Sequence, residues 1–123
     1  ANCISCHTVG DKGGQVGPIL DGLSGRLDAQ GILQAVSSPS ASIIEGFGVK
    51  VIKLNDGTTV SGRARNETAN TVQIQSADGK RWFTYFKDRV KSVSDSDTSL
   101  MPNIYAGLSS AQQQQIVAFL NSL

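Results

Sequence analysis

One histidine, one methionine, one tryptophan and two cysteines are spread over 123 residues, and each scarcity removes a class of reading. A structural zinc site wants four ligands, usually from two separated pairs, and a pair of cysteines with one histidine falls short of that set. Both cysteines sit in one short motif, so none is left for a structural disulfide elsewhere. No apolar run approaches the roughly 20 residues that a membrane-crossing helix needs, and the chain shows no secretory signal pattern. Eleven basic residues against ten acidic ones leave a net charge of +1, which selects no partner by itself. The length suits one compact domain, or a domain carrying an insertion, with enough chain to bury a core.

What the sequence does contain is concentrated at its start. Cys3-Ile4-Ser5-Cys6-His7 is a C-x-x-C-H run, the attachment signature of a c-type haem. Two thiols three positions apart can each form a thioether to one haem vinyl group, and the adjacent histidine then lies under the iron. The second axial ligand must come from elsewhere, and Met101, the sole methionine, stands in Leu100-Met101-Pro102. Histidine with methionine is a standard haem ligation, and the soft thioether favours the ferrous state and raises the potential. Other readings stand beside this one. A C-x-x-C pair can be a redox disulfide, which expects a thioredoxin-like strand and helix around it, or a plain structural disulfide, which leaves His7 unexplained. Met101 can equally fill a gap in a core.

Five glycines and prolines fall in the nine positions from Gly10 to Pro18, so this stretch is expected to be loop and not helix. A metal-bound histidine usually donates its other ring N–H to a carbonyl, and the carbonyl of Pro18 is the candidate acceptor. Gly17-Pro18 can also simply make a turn. Leu20, Leu23 and Leu27 are candidates for one wall of a haem pocket. Arg26 lies among them and could hold a haem propionate, although a solvated surface arginine fits as well. Asp28 is the expected N-cap of a helix over 29–37, with Ile32, Leu33 and Val36 on one face.

From about residue 46 the texture becomes β-rich. Strands are expected over 49–54, 59–65, 71–76 and 81–86, with a fifth at 90–93. Asp56-Gly57 and Asp78-Gly79 serve as hairpin signals. Val72 and Ile74 alternate with Thr71, Gln73 and Gln75, the period of a half-buried strand. The pattern faintly resembles small barrels of the Sm or SH3 type. Residues 46–93 carry nine basic and four acidic side chains, net +5, and the remainder is net −4. Such a basic module could steer an acidic redox partner or pair with propionates, or its charges could only protect sheet edges. Aromatics at strand spacing read as core, so nucleic acid is not an expected partner. The end of the chain returns to helix. Ser109 with Gln112 matches a capping box, and Ile116, Phe119, Leu120 and Leu123 repeat at helical spacing. This helix is expected to pack on the helix carrying His7 and to support the Met101 loop.

The motif, the Gly17-Pro18-x-Leu20 loop, the late Met101-Pro102 and the terminal helix together resemble a class I c-type cytochrome over residues 1–45 and 94–123. With the β-rich insertion at 46–93, the chain is similar to the haem-binding domain attached to the end of large exported bacterial dehydrogenase-like proteins. The resemblance implies a mostly α cytochrome c fold with an inserted small antiparallel β module, α+β overall. It implies one haem c anchored by Cys3 and Cys6, with His7 and Met101 as axial ligands and no catalytic residue of the chain's own. The expected function is electron transfer, not enzymatic turnover. The partner would be a dehydrogenase, cytochrome, oxidase or secreted copper enzyme, and the location periplasmic or otherwise exported, directed by sequence outside this chain. Two alternatives remain at this point. One is a haem sensor in which Met101 leaves the iron free for a small ligand, and the other is an interaction module whose β insertion binds a protein or polysaccharide. A peroxidase needs distal acid–base groups, and no second histidine exists.

Overall fold

A computed structural model describes residues 2–123, and its dominant element is a sheet. A 3-10 turn, Cys3–Ser5, leads into a two-stranded antiparallel ribbon of β1 (Thr8–Val9) and β2 (Lys12–Gly13). Next come α1 (Leu23–Arg26) and α2 (Ala29–Ser37). Five strands follow: β3 (Val49–Lys53), β4 (Thr59–Arg65), β5 (Thr71–Gln75), β6 (Trp82–Phe86) and β7 (Ser92–Ser96). The chain closes with a 3-10 turn, Tyr105–Gly107, and α3 (Ser110–Asn121).

The five strands form one antiparallel sheet in the order β6-β5-β4-β3-β7. Its turns follow from local chemistry. At the β3–β4 connection Gly57 adopts φ +91°, and the Asp56 carboxylate accepts from both the amide and the hydroxyl of Thr58. At the β5–β6 connection Gly79 takes φ +76°, and Asp78 accepts from the Ser76 hydroxyl and the Lys80 amide. These left-handed positions suit glycine, which carries no Cβ to clash. Ile52, Val72 and Ile74 fill the sheet's core, with Val60, Tyr85, Val90 and Val93 packed around them.

A second core joins the helices. Leu20, Ile32 and Leu120 are buried together, flanked by Val9, Leu23, Val36 and Ile116. Both longer helices begin as their sequences require. The Asp28 carboxylate accepts from the Gly31 amide at 2.7 Å, and Ser109 with Gln112 forms a reciprocal capping box. Each cap satisfies amides that have no partner within the helix.

The architecture corrects the expected fold class. The molecule is a small β-rich α+β domain, not a mostly α fold, and the class I cytochrome c resemblance is overturned with it. The physical reason lies in the segments around the motif. Glycine turns break them into a 3-10 turn, a ribbon and a single helical turn, α1, whose preceding Gly22 sits at φ +72°. His7 is therefore not on a helix, and α3 packs on α1 and α2 instead. Two apolar positions also depart from the helical-face reading: Leu33 is exposed, and Phe119 is 52% exposed. The fifth strand begins two residues later than expected, because a 3-10 turn at Lys87–Arg89 intervenes before β7 pairs Val93 with Ile52. Among the described residues, no helix is long and apolar enough to cross a membrane.

Candidate functional site

The motif folds as one tight turn. The amides of Cys6 and His7 both donate to the carbonyl of Cys3, at 3.1 and 2.9 Å. This keeps both cysteines on one turn, half-buried and as free thiols. The loop from Gly13 to Pro18 then folds back over it. The Gly14 amide donates to the Ile4 carbonyl at 2.9 Å, and the Gly17 amide to the Cys6 carbonyl at 2.8 Å.

Glycine is obligatory in that return. A Cβ on Gly13 or Gly14 would collide with the carbonyl oxygen of His7 or Ser5. A Cβ on Gly17 would stand 2.5 Å from Cε1 of the His7 ring and 2.9 Å from both ring nitrogens. The imidazole thus lies flush against bare backbone.

His7 Nδ1 lies 2.6 Å from the carbonyl oxygen of Pro18. A carbonyl can only accept, so Nδ1 carries the proton and donates, which leaves the Nε2 lone pair free in the neutral ring. Arg26 does not stand apart from this loop. Its Nη2 donates to the carbonyl of Ile19 at 2.7 Å, so its fork fastens the residue that follows Pro18. Met101 is half-buried on a separate irregular segment. Its amide donates to Ser99 Oγ, and the Ser99 amide donates to Ser40 Oγ at 2.9 Å, which ties the segment to the chain leaving α2. The structure therefore gathers Cys3, Cys6, His7, Pro18 and Arg26 on one continuous stretch, with Met101 on another. Among the described residues, no three His, Cys, Asp or Glu side chains converge into a metal-binding cluster.

The residues fit a covalently held haem by the chemistry of the donor set. Two free thiols stand on the same turn as an imidazole whose Nδ1 donates to a carbonyl, so that its Nε2 keeps a lone pair. Ile4, Ile19, Leu100 and Ile104, neighbours of these residues in the chain, are all exposed apolar side chains. Apolar side chains of this kind gain from cover by an apolar face.

Two contributors to the site were not legible in the sequence. Gln75 was expected on the polar face of β5, yet it is only 5% exposed. Its Nε2 donates to the carbonyl of Gln15 at 3.1 Å and of Gly79 at 3.0 Å. Arg63 Nη1 also donates to the Gln15 carbonyl, at 3.3 Å, while its Nε donates to Gly46. Its guanidinium lies 3.8 Å from the centroid of the Phe47 ring, and burial, then the nearby Arg65 charge, lowers its pKa. No periodicity or motif marks these contacts, which join residues 48 to 60 positions apart.

Elsewhere on the five-stranded sheet, Lys50 bridges Glu67 and Asp95, and Lys87 takes the other oxygen of Glu67. Fold and site together define a β-rich α+β domain with a C-x-x-C-H turn at its start. Neither a family model nor a curated protein matches the chain.

Proposed function

We propose that this protein carries one c-type haem and passes single electrons between an exported redox enzyme and a downstream acceptor. The observation that supports this most is the hydrogen bond from His7 Nδ1 to Pro18, which leaves Nε2 as a ligand beside two free thiols on one turn. Cys3 and Cys6 would hold the group by thioethers, and His7 and Met101 would supply ligand atoms to its iron. When bound, such an iron gains and loses one electron. With His7 and Met101 both holding the iron, the chain would act by tuning its potential and presenting a docking surface. The carbonyl on His7 Nδ1 fixes the ring and raises its basicity, whereas the soft sulfur of Met101 pulls the potential upward. The charge division, net +5 over residues 46–93 against net −4 elsewhere, suits brief electrostatic docking with an acidic partner.

The test is the absorption spectrum of the protein matured in a host that attaches haem c, compared with Met101→Ala. A low-spin spectrum whose methionine-to-iron band is lost in the variant is the expected result. A chain that attaches no haem overturns the proposal. A high-spin wild type that binds carbon monoxide overturns the Met101 assignment and favours a ligand-sensing role.

A further inference from the structure

The role of the five-stranded sheet is decided by how it touches the histidine loop. Three of its groups converge on Gln15 and Val16. Gln75 Nε2 and Arg63 Nη1 donate to the same carbonyl, that of Gln15. The third is Gly79, whose backbone rests directly on Val16. A Cβ at Gly79 would approach Val16 Cγ2 to 3.0 Å and its amide nitrogen to 3.3 Å.

Gln75 is the centre of this contact. Its two donor hydrogens are divided between Gln15, on the loop, and Gly79, in the β5–β6 turn, so one amide staples turn to loop. The opposite end, Oε1, is buried and finds no partner among the described residues. An unpartnered buried acceptor is unfavourable, so the side chain is retained there for what its nitrogen holds. From Gln15 the chain runs through Val16 to Gly17, whose amide is bonded to Cys6, and then to Pro18, whose carbonyl receives His7 Nδ1. The path from Gln75 to the imidazole is thus one hydrogen bond, three residues of backbone and one further hydrogen bond.

We propose that the five-stranded sheet braces the loop that orients His7, with Gln75 as its positioning residue. The inference rests on the reading of His7 as a metal ligand. Holding Gln15 and Val16 against the sheet fixes the Pro18 carbonyl, and that carbonyl governs both the ring's orientation and its basicity. Removing the staple lets the carbonyl drift, weakens the Nδ1 bond and makes the imidazole a poorer donor. The reduction potential then rises.

The experiment uses the full chain as isolated, comparing wild type with Gln75→Leu and, as a control, Ile52→Val, which loosens the sheet's core without touching the loop. Amide exchange at Gly17 and Leu20 should quicken about tenfold in Gln75→Leu while the β3–β4 ladder changes far less. Ile52→Val should do the reverse. Where the chain carries haem, the potential should rise in Gln75→Leu and stay put in Ile52→Val. Should Gln75→Leu fail to fold, Arg63→Met, which removes the second donor to Gln15, should quicken Gly17 exchange about threefold. Gly17 exchange that stays at the wild-type rate in the folded variant overturns the brace, as does an equal effect from Ile52→Val. A chain without haem overturns the functional proposal alone, because the exchange measurement still judges the brace.

Discussion

Gly17→Ala is the sharpest perturbation of the site, because the added methyl has nowhere to go. Its Cβ would stand 2.5 Å from His7 Cε1 and 2.9 Å from Nδ1 and Nε2, all far inside van der Waals contact. The backbone at Gly17 is not in the left-handed region, so alanine meets no φ strain and the effect is purely one of space. A free side chain would swing aside cheaply, but this ring is tethered at Nδ1 to Pro18. The loop is tethered as well, by the Gly17 amide on the Cys6 carbonyl at 2.8 Å. One of the two bonds must yield, at about 1 kcal/mol, and residual overpacking adds about 1–3 kcal/mol. The expected loss is therefore about 2–4 kcal/mol, read as a lower urea midpoint with an unchanged slope. Gly25→Ala is the matched control: nothing lies within 4 Å of its added methyl and it sits in a helix, so it should be neutral or stabilising by up to about 1 kcal/mol. Gly17→Ala with a wild-type midpoint and an unshifted His7 Nδ1 proton resonance would refute the packing of ring against backbone.

Three other outcomes follow from the same structure. Ile52 is fully buried in the core of the five-stranded sheet, so Ile52→Ala should lower stability by about 2–5 kcal/mol, whereas Phe119→Ala, on an exposed position of α3, should stay within about 0.5 kcal/mol in the same titration. Ser109→Ala removes the capping box of α3 and should lose about 1 kcal/mol, which Ser109→Asp should largely restore. Hydrogen bonds from Lys87 first, and then from Lys50, hold the Glu67 carboxyl below its ordinary pKa of 4.5. Its contribution is thus present above that value and lost as pH falls below it. Glu67 is 36% exposed, so solvent screening limits the pair to under about 1 kcal/mol, and Glu67→Gln should flatten the acid limb of the stability curve by no more than that.

Much of the local structure was legible because it is encoded locally. Asp56-Gly57 and Asp78-Gly79 announce turns whose glycines do adopt positive φ, and the strands beside them fall within a residue or two of the expected bounds. Asp28 and Ser109 cap their helices through contacts three residues away. The mostly α expectation failed because it was carried by the order of a few motifs. Gly13, Gly14 and Gly17 serve close backbone approach around His7, and that need for space is independent of whether helices or strands surround it.

The sequence by itself determined the turns, the caps, the alternation of Val72 and Ile74 into a core, and the C-x-x-C-H cluster, since each is settled within a few residues. Only the tertiary structure decided that the sheet outweighs the helices, that α3 packs on α1 and α2, and that Gln75 is buried beneath the Gln15 loop. A glutamine at the end of a strand carries no mark of its partner. Whether it faces water or a carbonyl 60 positions away depends on where the loop comes to rest, which no local pattern records.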